Sequence, residues 1–152
     1  MTRDDILQSV KRFLDVLDPQ RRFEDRERAL RAALDGLALA YHSAEAPFDG
    51  TTHSDAPWAE ANALRAGLAV LFPDLGLYNE VLNIVAPVGE LEPGVGDALD
   101  DLTDIAVDMH RFLHQWETTG EEAALWHFRF SFETHWGRHL RGLQLYLHER
   151  AC

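Results

Sequence analysis

Near the end of the chain His135 and His139 stand four residues apart, inside "RFSFETHWGRH", Arg129 to His139. An i, i+4 spacing puts both imidazoles on one face of a helix, the arrangement by which helices hold zinc or nickel. Upstream, "DALDDLTDIAVD" carries Asp97, Asp100, Asp101, Asp104 and Asp108. On a helix Asp101, Asp104 and Asp108 follow one another at i, i+3 and i+7 along one edge. Three like charges in a row repel, so a cation, a donor or water must offset them. Carboxylates beside imidazoles can coordinate a metal, exchange protons as acid and base, or form ion pairs.

The charge is unevenly spread. Between Arg65 and Arg111 there is no lysine or arginine and there are nine carboxylates. Asp97, Asp100 and Asp101 sit at a helix N-terminus, where the macrodipole favours anions by about 0.3–1 kcal/mol each. Asp104 and Asp108 lie too far into the helix for that. On a regular helical wheel Phe128, Phe132, Trp136, Leu140, Leu143 and Leu147 form one apolar stripe, with Arg129 and Glu133 inside it and His135 and His139 at its margin. A charge in such a stripe costs several kcal/mol unless it is paired. The expected solution pairs Arg129 with Asp104 or Asp108 across a helix interface, with Glu133 accepting from Arg129, a histidine or a tryptophan N–H.

Other patterns carry less. "DDLTD" matches the DDxxD string of helical isoprenoid synthases, but the chain is about half their usual length and lacks a second aspartate motif and nearby basic residues. His110 and His114 repeat the i, i+4 spacing on a side expected to be solvated. Glu133 precedes Trp136 and not a histidine, so the Glu-x-x-His signature of di-iron bundles is broken. A divalent metal at His135 and His139 is therefore the second choice. Cys152 is terminal, and no nucleophile elbow or glycine-rich phosphate loop is present.

These groups need helices to position them. "DDILQSVKRFLDVLDP" has apolar residues at helical spacing up to Pro19, and residues 24 to 46 form a longer Ala/Leu-rich helix. "PFDGTTHSD" is turn chemistry, after which Ser54 or Asp55 caps a helix with Pro57 in its first turn, running to about Phe72. "PDLGLYNEVLNIVAP" reads as a short helix or a looped segment, and "VGELEPGVG" as loop. Asp97 caps a helix through about Trp116. Thr119 and Glu122 suit a capping box for a last helix reaching about His148. Alternating strand patterns are absent. The expectation is all-α: one domain over residues 1–152, a bundle of about five helices.

Composition narrows the function classes. The net charge of -12, from 26 acidic and 14 basic residues, repels phosphate backbones and anionic lipid. Nucleic acid and membrane are accordingly not expected as partners. The single cysteine suits a reducing compartment, the N-terminus lacks a secretory pattern, and no apolar run reaches the roughly 18 residues of a membrane span. A cytoplasmic protein is expected. Phe130 points away from the apolar stripe, which suggests cover by another helix or by a second subunit, a homodimer.

"DDLTDIAVD" followed by "EEAALWHFRFSFETHWGRHLRGLQLYLH" resembles the paired signature of the bacterial domain-of-unknown-function family 5063. That signature reads close to D-D-L-x-D-I-Y-x-D, then W-x-W-R-F-S-F-x-x-H-W-G-x-H. "FPDLGLYNEV" is similar, more loosely, to a family segment with Leu-Gly-x-Tyr-Trp. The matching positions are Asp101, Asp104, Asp108, Trp126, Arg129, Glu133, His135, Trp136, Gly137 and His139. Ala106, Val107, His127-Phe128 and Asn79 depart from the pattern, so a pocket shaped by the family's aromatics would be altered here. The resemblance implies a small, cytosolic, all-helical protein without an assigned activity. Taken with the residues, it favours a non-catalytic interaction or adaptor module with an unidentified protein partner. In that reading Asp101, Asp104, Asp108, Arg129, Glu133 and Trp136 lock the last two helices together. The alternative is a ligand- or metal-binding protein, a metal-dependent hydrolase in its strongest form, using the same cluster. Gly137 in mid-helix costs about 1 kcal/mol against alanine and suggests a close approach or a pocket at that turn.

Overall fold

The computed structural model describes residues 1–51 and 61–152, so the cap expected at Ser54, Asp55 and Pro57 lies outside the described residues. The expected bundle forms. Its helices are α1 (Arg3–Val16), α2 (Arg26–Ser43), α3 (Ala61–Leu71), α4 (Ala98–Thr118), α5 (Glu121–Ser131) and α6 (Gly137–Ala151). A π turn, Phe132–Trp136, joins α5 to α6, so the two run on as one helix and the bundle is in effect five-helical. The core lies between α1, α2, α4 and this last helix, with Phe13, Leu34, Leu102, Ile105, Phe128 and Trp136 nearly or wholly inaccessible. Among the described residues no helix is long and apolar enough to cross a membrane.

Helix starts depend on side chains that take up the free N–H groups of the first turn. Thr2 and Asp5 form a reciprocal capping box on α1, and Asp25 accepts from Arg28 N–H at 2.9 Å on α2. Asp97 caps α4 through Leu99 and Asp100 N–H, at 3.0 and 3.2 Å. The box expected at Thr119 and Glu122 does not form. Here α4 runs on through Thr118, Thr119 becomes its C-cap, and Gly120 makes the turn at φ +125°, a region that disfavours side chains. Glu122 instead meets Arg3 of α1 at 3.4 Å.

The segment between α3 and α4 corrects the expectation that strands are absent. Leu77–Val81 (β1) and Pro93–Asp97 (β2) pair antiparallel, with Tyr78 opposite Gly96 and Glu80 opposite Gly94. Sequence signals hide β2, because four of the five residues of "PGVGD", Pro93, Gly94, Gly96 and Asp97, are of types depleted in strands. Its glycines serve close approach instead. A Cβ on Gly96 would overlap the Tyr78 ring, and one on Gly94 would lie 2.6 Å from Leu82. The hairpin is tied to the bundle by Ala98 N–H to the Gly76 carbonyl at 3.1 Å and by Gly76 N–H to the Tyr146 hydroxyl at 3.0 Å.

The π turn resets the register of the last helix. Apolar positions facing the core step by four at Phe128, Phe132, Trp136 and Leu140 before ordinary spacing resumes at Leu143 and Leu147. Gly137 N–H bonds to the carbonyl of Phe132, five residues back. The extra residue rotates α6 relative to α5, and Glu133 is left exposed, not inside the apolar stripe. Gly137 is required by this turn: a Cβ there would collide with the Phe132 carbonyl oxygen and lie 3.0 Å from its ring. Gly137→Ala should therefore lower stability by about 1–3 kcal/mol through overpacking, despite alanine's better helix propensity. Urea denaturation monitored by circular dichroism measures this, and an unchanged or raised stability would contradict the role given to Gly137.

Candidate metal centre

One edge of α4 faces the π turn and the start of α6. Leu102, Ile105, Met109 and Phe112 go into the core, which leaves Asp101, Asp104 and Asp108 along the seam with the last helix. His135 comes from the π turn and His139 from the first turn of α6. The His139 Nδ1 lies 2.7 Å from Asp101 Oδ1, and its Nε2 lies 3.3 Å from Asp104 Oδ2. One turn along, His135 Nδ1 lies 2.7 Å from Asp108 Oδ2. The two rings sit 5.0 Å apart, at 73° to one another.

Burial orders these contacts. The side chain of Asp108 is only 4% exposed and that of Asp101 10%, so each anion requires partners. Asp108 has two, His135 and the Arg111 guanidinium at 3.3 Å. Asp101 also has two, His139 and the Tyr78 hydroxyl, which donates to Oδ2 at 2.5 Å. An ionised carboxylate offers only lone pairs, so the imidazole nitrogen facing it carries the hydrogen. In both histidines that nitrogen is Nδ1, while the Nε2 of His139 faces the Asp104 carboxylate. Asp101 is thus more than an anion at a helix N-terminus, whereas Asp100 is exposed.

Proton affinities reflect the same contacts. The bond to Asp101 raises the His139 pKa against the opposing effect of burial, and the charges of Asp104, Asp101 and Asp100 add to it. Burial raises the Asp104 carboxyl, opposed by His139 and reinforced by Asp100 and Asp108. Burial, then the bond to Asp101, raises the Tyr78 phenol, which therefore stays protonated and donating.

The pairing expected for Arg129 is not the one found. Its Nε meets Glu133 at 3.2 Å and its Nη1 donates to the Ala44 carbonyl at 3.2 Å, on an exposed rim beside the Tyr41 ring. The imidazoles, brought round by the π turn, take the aspartates in its place. Glu133 accepts from Arg129, as expected, and from the Tyr41 hydroxyl at 3.0 Å. Trp136 is fully buried and its Nε1–H donates to Ser131 Oγ at 3.0 Å. Arg129, Glu133 and Trp136 thus stand outside the Asp/His cluster. His110 is exposed and His114 half-buried, and neither joins the cluster. Tyr78 is the member that residue spacing does not reveal, since the hairpin that carries it leaves no alternating pattern.

The profile of a family described as a domain of unknown function (DUF5063) matches residues 4–151. The chain belongs to that family. A crystal structure of protein BF1032 from Bacteroides fragilis superposes with a TM-score of 0.68 at 18% identity, over 96% of this chain and 89% of that one. At that identity the likeness concerns the fold of this DUF5063 member. No curated protein matches it.

The His139 contacts imply a pH dependence for the metal-free protein. The folded-state pKa of His139 lies above its unfolded value of about 6.5, so its ion pairs contribute fully below that pH. They are lost as pH rises through the folded value. Urea titrations across this range should show stability falling with rising pH, and His139→Gln should flatten the fall. An equal slope in the variant would contradict the assignment.

Proposed function

We propose that this protein binds one divalent transition metal through Asp104, His135 and His139, with open coordination positions on the solvent side. The observation that carries the reading is the mutual placement of these donors. One ligand atom from each of the three lies within 4.8 Å of the others, while both Nδ1 atoms are engaged at 2.7 Å by buried carboxylates. Ligating histidines generally donate their other N–H to a carboxylate or carbonyl, which fixes the tautomer and the ring direction. Asp101 and Asp108 stand in those places.

Donors around a tetrahedral zinc at about 2.0–2.1 Å are about 3.3 Å apart. His139 Nε2 and Asp104 already stand at 3.3 Å, and the His135 donor must close by at most about 1.5 Å. His135, 49% exposed, has room to do so. Two nitrogens and one oxygen suit zinc, iron(II), nickel or manganese better than a soft metal. Three protein donors with an open side also suit activation of a bound water, the chemistry of a metal-dependent hydrolase. Metal would take the place of the proton on His139 Nε2, and binding would release that proton.

A second reading, a protein-interaction module in which the Asp/His pairs only lock the helices, draws support from the hairpin. Its loop exposes Ile84, Val85, Val88 and Leu91 fully or in large part, more apolar surface than a solvated turn needs. Phe130, half-exposed and stacked on Trp126 at 5.0 Å, offers a further contact surface, for a second copy among other partners.

Metal content separates the two. Tag-free protein equilibrated with zinc and desalted should retain one equivalent. Asp104→Ala, His135→Ala and His139→Ala should each lose at least tenfold in affinity, and Asp104→Ala should leave metal-free stability unchanged or raised. Failure of the parent protein to retain metal would leave the interaction reading in possession.

A further inference from the structure

Among the described residues Tyr78 is the one group that reaches the cluster from outside the helices, and the chain makes room for it twice. Its ring lies across β2 where Gly96 stands, and a Cβ at that position would overlap the ring. Its hydroxyl lies against α6 where Gly142 stands, and a Cβ there would be 2.6 Å from the oxygen. The ring is also stacked on Tyr146, with centroids 5.1 Å apart at 30°. Tyr146 itself is held by Gly76 N–H, at the foot of β1. A phenol so confined can point in one direction, and it points at Asp101 Oδ2, 2.5 Å away.

Asp101 carries the constraint onward. With Oδ2 held by Tyr78, its other oxygen faces His139 Nδ1 at 2.7 Å. The carboxylate cannot rotate without breaking one of two short bonds, and the imidazole cannot rotate without losing Asp101. The outer nitrogen of His139 is thereby directed at Asp104, 3.3 Å away. A glycine within α6 weakens the helix relative to alanine, and strand glycines weaken pairing. Gly96 and Gly142 both accept that cost at the points where Tyr78 must fit.

We propose that Tyr78 is a positioning residue of the metal centre: the hairpin seats its phenol on Asp101, which aims His139 Nε2 at the ion. The proposal rests on the metal-binding reading above. Outer-shell partners of this kind typically contribute 10–100-fold in metal affinity. Tyr78 touches no ligand position itself and acts only through Asp101.

Two variants test it from opposite sides. Tyr78→Phe keeps the ring, its stacking on Tyr146 and the filled space over Gly96, and deletes only the hydroxyl. Gly142→Ala keeps the hydroxyl but pushes it off Asp101, while improving the helix propensity of α6. Zinc affinity, read by competition with a chromophoric chelator, should fall about tenfold or more in both. The visible spectrum of the cobalt(II)-loaded protein should change in both as the His139 ligand is misdirected. A purely structural tyrosine would show neither change, and Gly142→Ala would keep the parent affinity. Parent-level zinc affinity in both variants, alongside a parent that binds zinc and a His135→Ala that does not, overturns the role of Tyr78 alone. A parent protein that binds neither zinc nor cobalt overturns the metal reading, and this proposal with it.

Discussion

Two carboxylates buried in the seam between α4 and the last helix set the terms for much else in this structure. Asp101 and Asp108 have given up most of their hydration, and a stranded anion there would cost several kcal/mol. Each is matched by an imidazole at 2.7 Å and by a second donor, Tyr78 in one case and Arg111 in the other. The π turn exists in register with this requirement, since it brings His135 and His139 round to α4. Gly137 is the residue that lets the turn close. The hairpin shares the same purpose at its inner end, where β1 delivers a phenol to Asp101.

That arrangement also explains how so acidic a stretch is tolerated. The nine carboxylates between Arg65 and Arg111 are divided among distinct environments. Asp97 caps α4 and meets Arg65 at 2.7 Å, while Asp100 stays in solvent. Asp104 keeps the least compensation of the three seam aspartates, half-buried and facing a single imidazole nitrogen. A divalent ion is the partner that would complete it, because it would neutralise Asp104 while taking the place of the proton on His139 Nε2. Local charge, donor type and exposure therefore converge on one place at the seam.

Much of the architecture is legible from sequence. Apolar spacing gives α1, α2, α4 and the last helix, Asp97 is recognisable as a cap, and the aspartate edge and the His135/His139 pair are identified as partners of interest. What misleads is the assumption of uniform helical periodicity. One extra residue in the π turn rotates the helix, so Arg129 and Glu133, placed in the apolar stripe by a regular wheel, lie on the rim and pair with each other. The hairpin is hidden for a different reason. Gly94 and Gly96 carry no strand propensity, and their function is visible only once Leu82 and Tyr78 are seen lying over them. Thr119 and Glu122 look like a capping box in isolation, but the preceding helix runs into that position and Gly120 turns the chain. In each case a tertiary demand outweighs a local preference that sequence alone displays.

The most direct test of the central claim is X-ray absorption spectroscopy at the zinc edge, on protein loaded with one equivalent and freed of excess. The Asp104, His135 and His139 centre predicts a first shell of nitrogen and oxygen at about 2.0–2.1 Å, with outer-shell scattering from two imidazole rings. A sample that retains no zinc, or a shell without imidazole scattering, would contradict it.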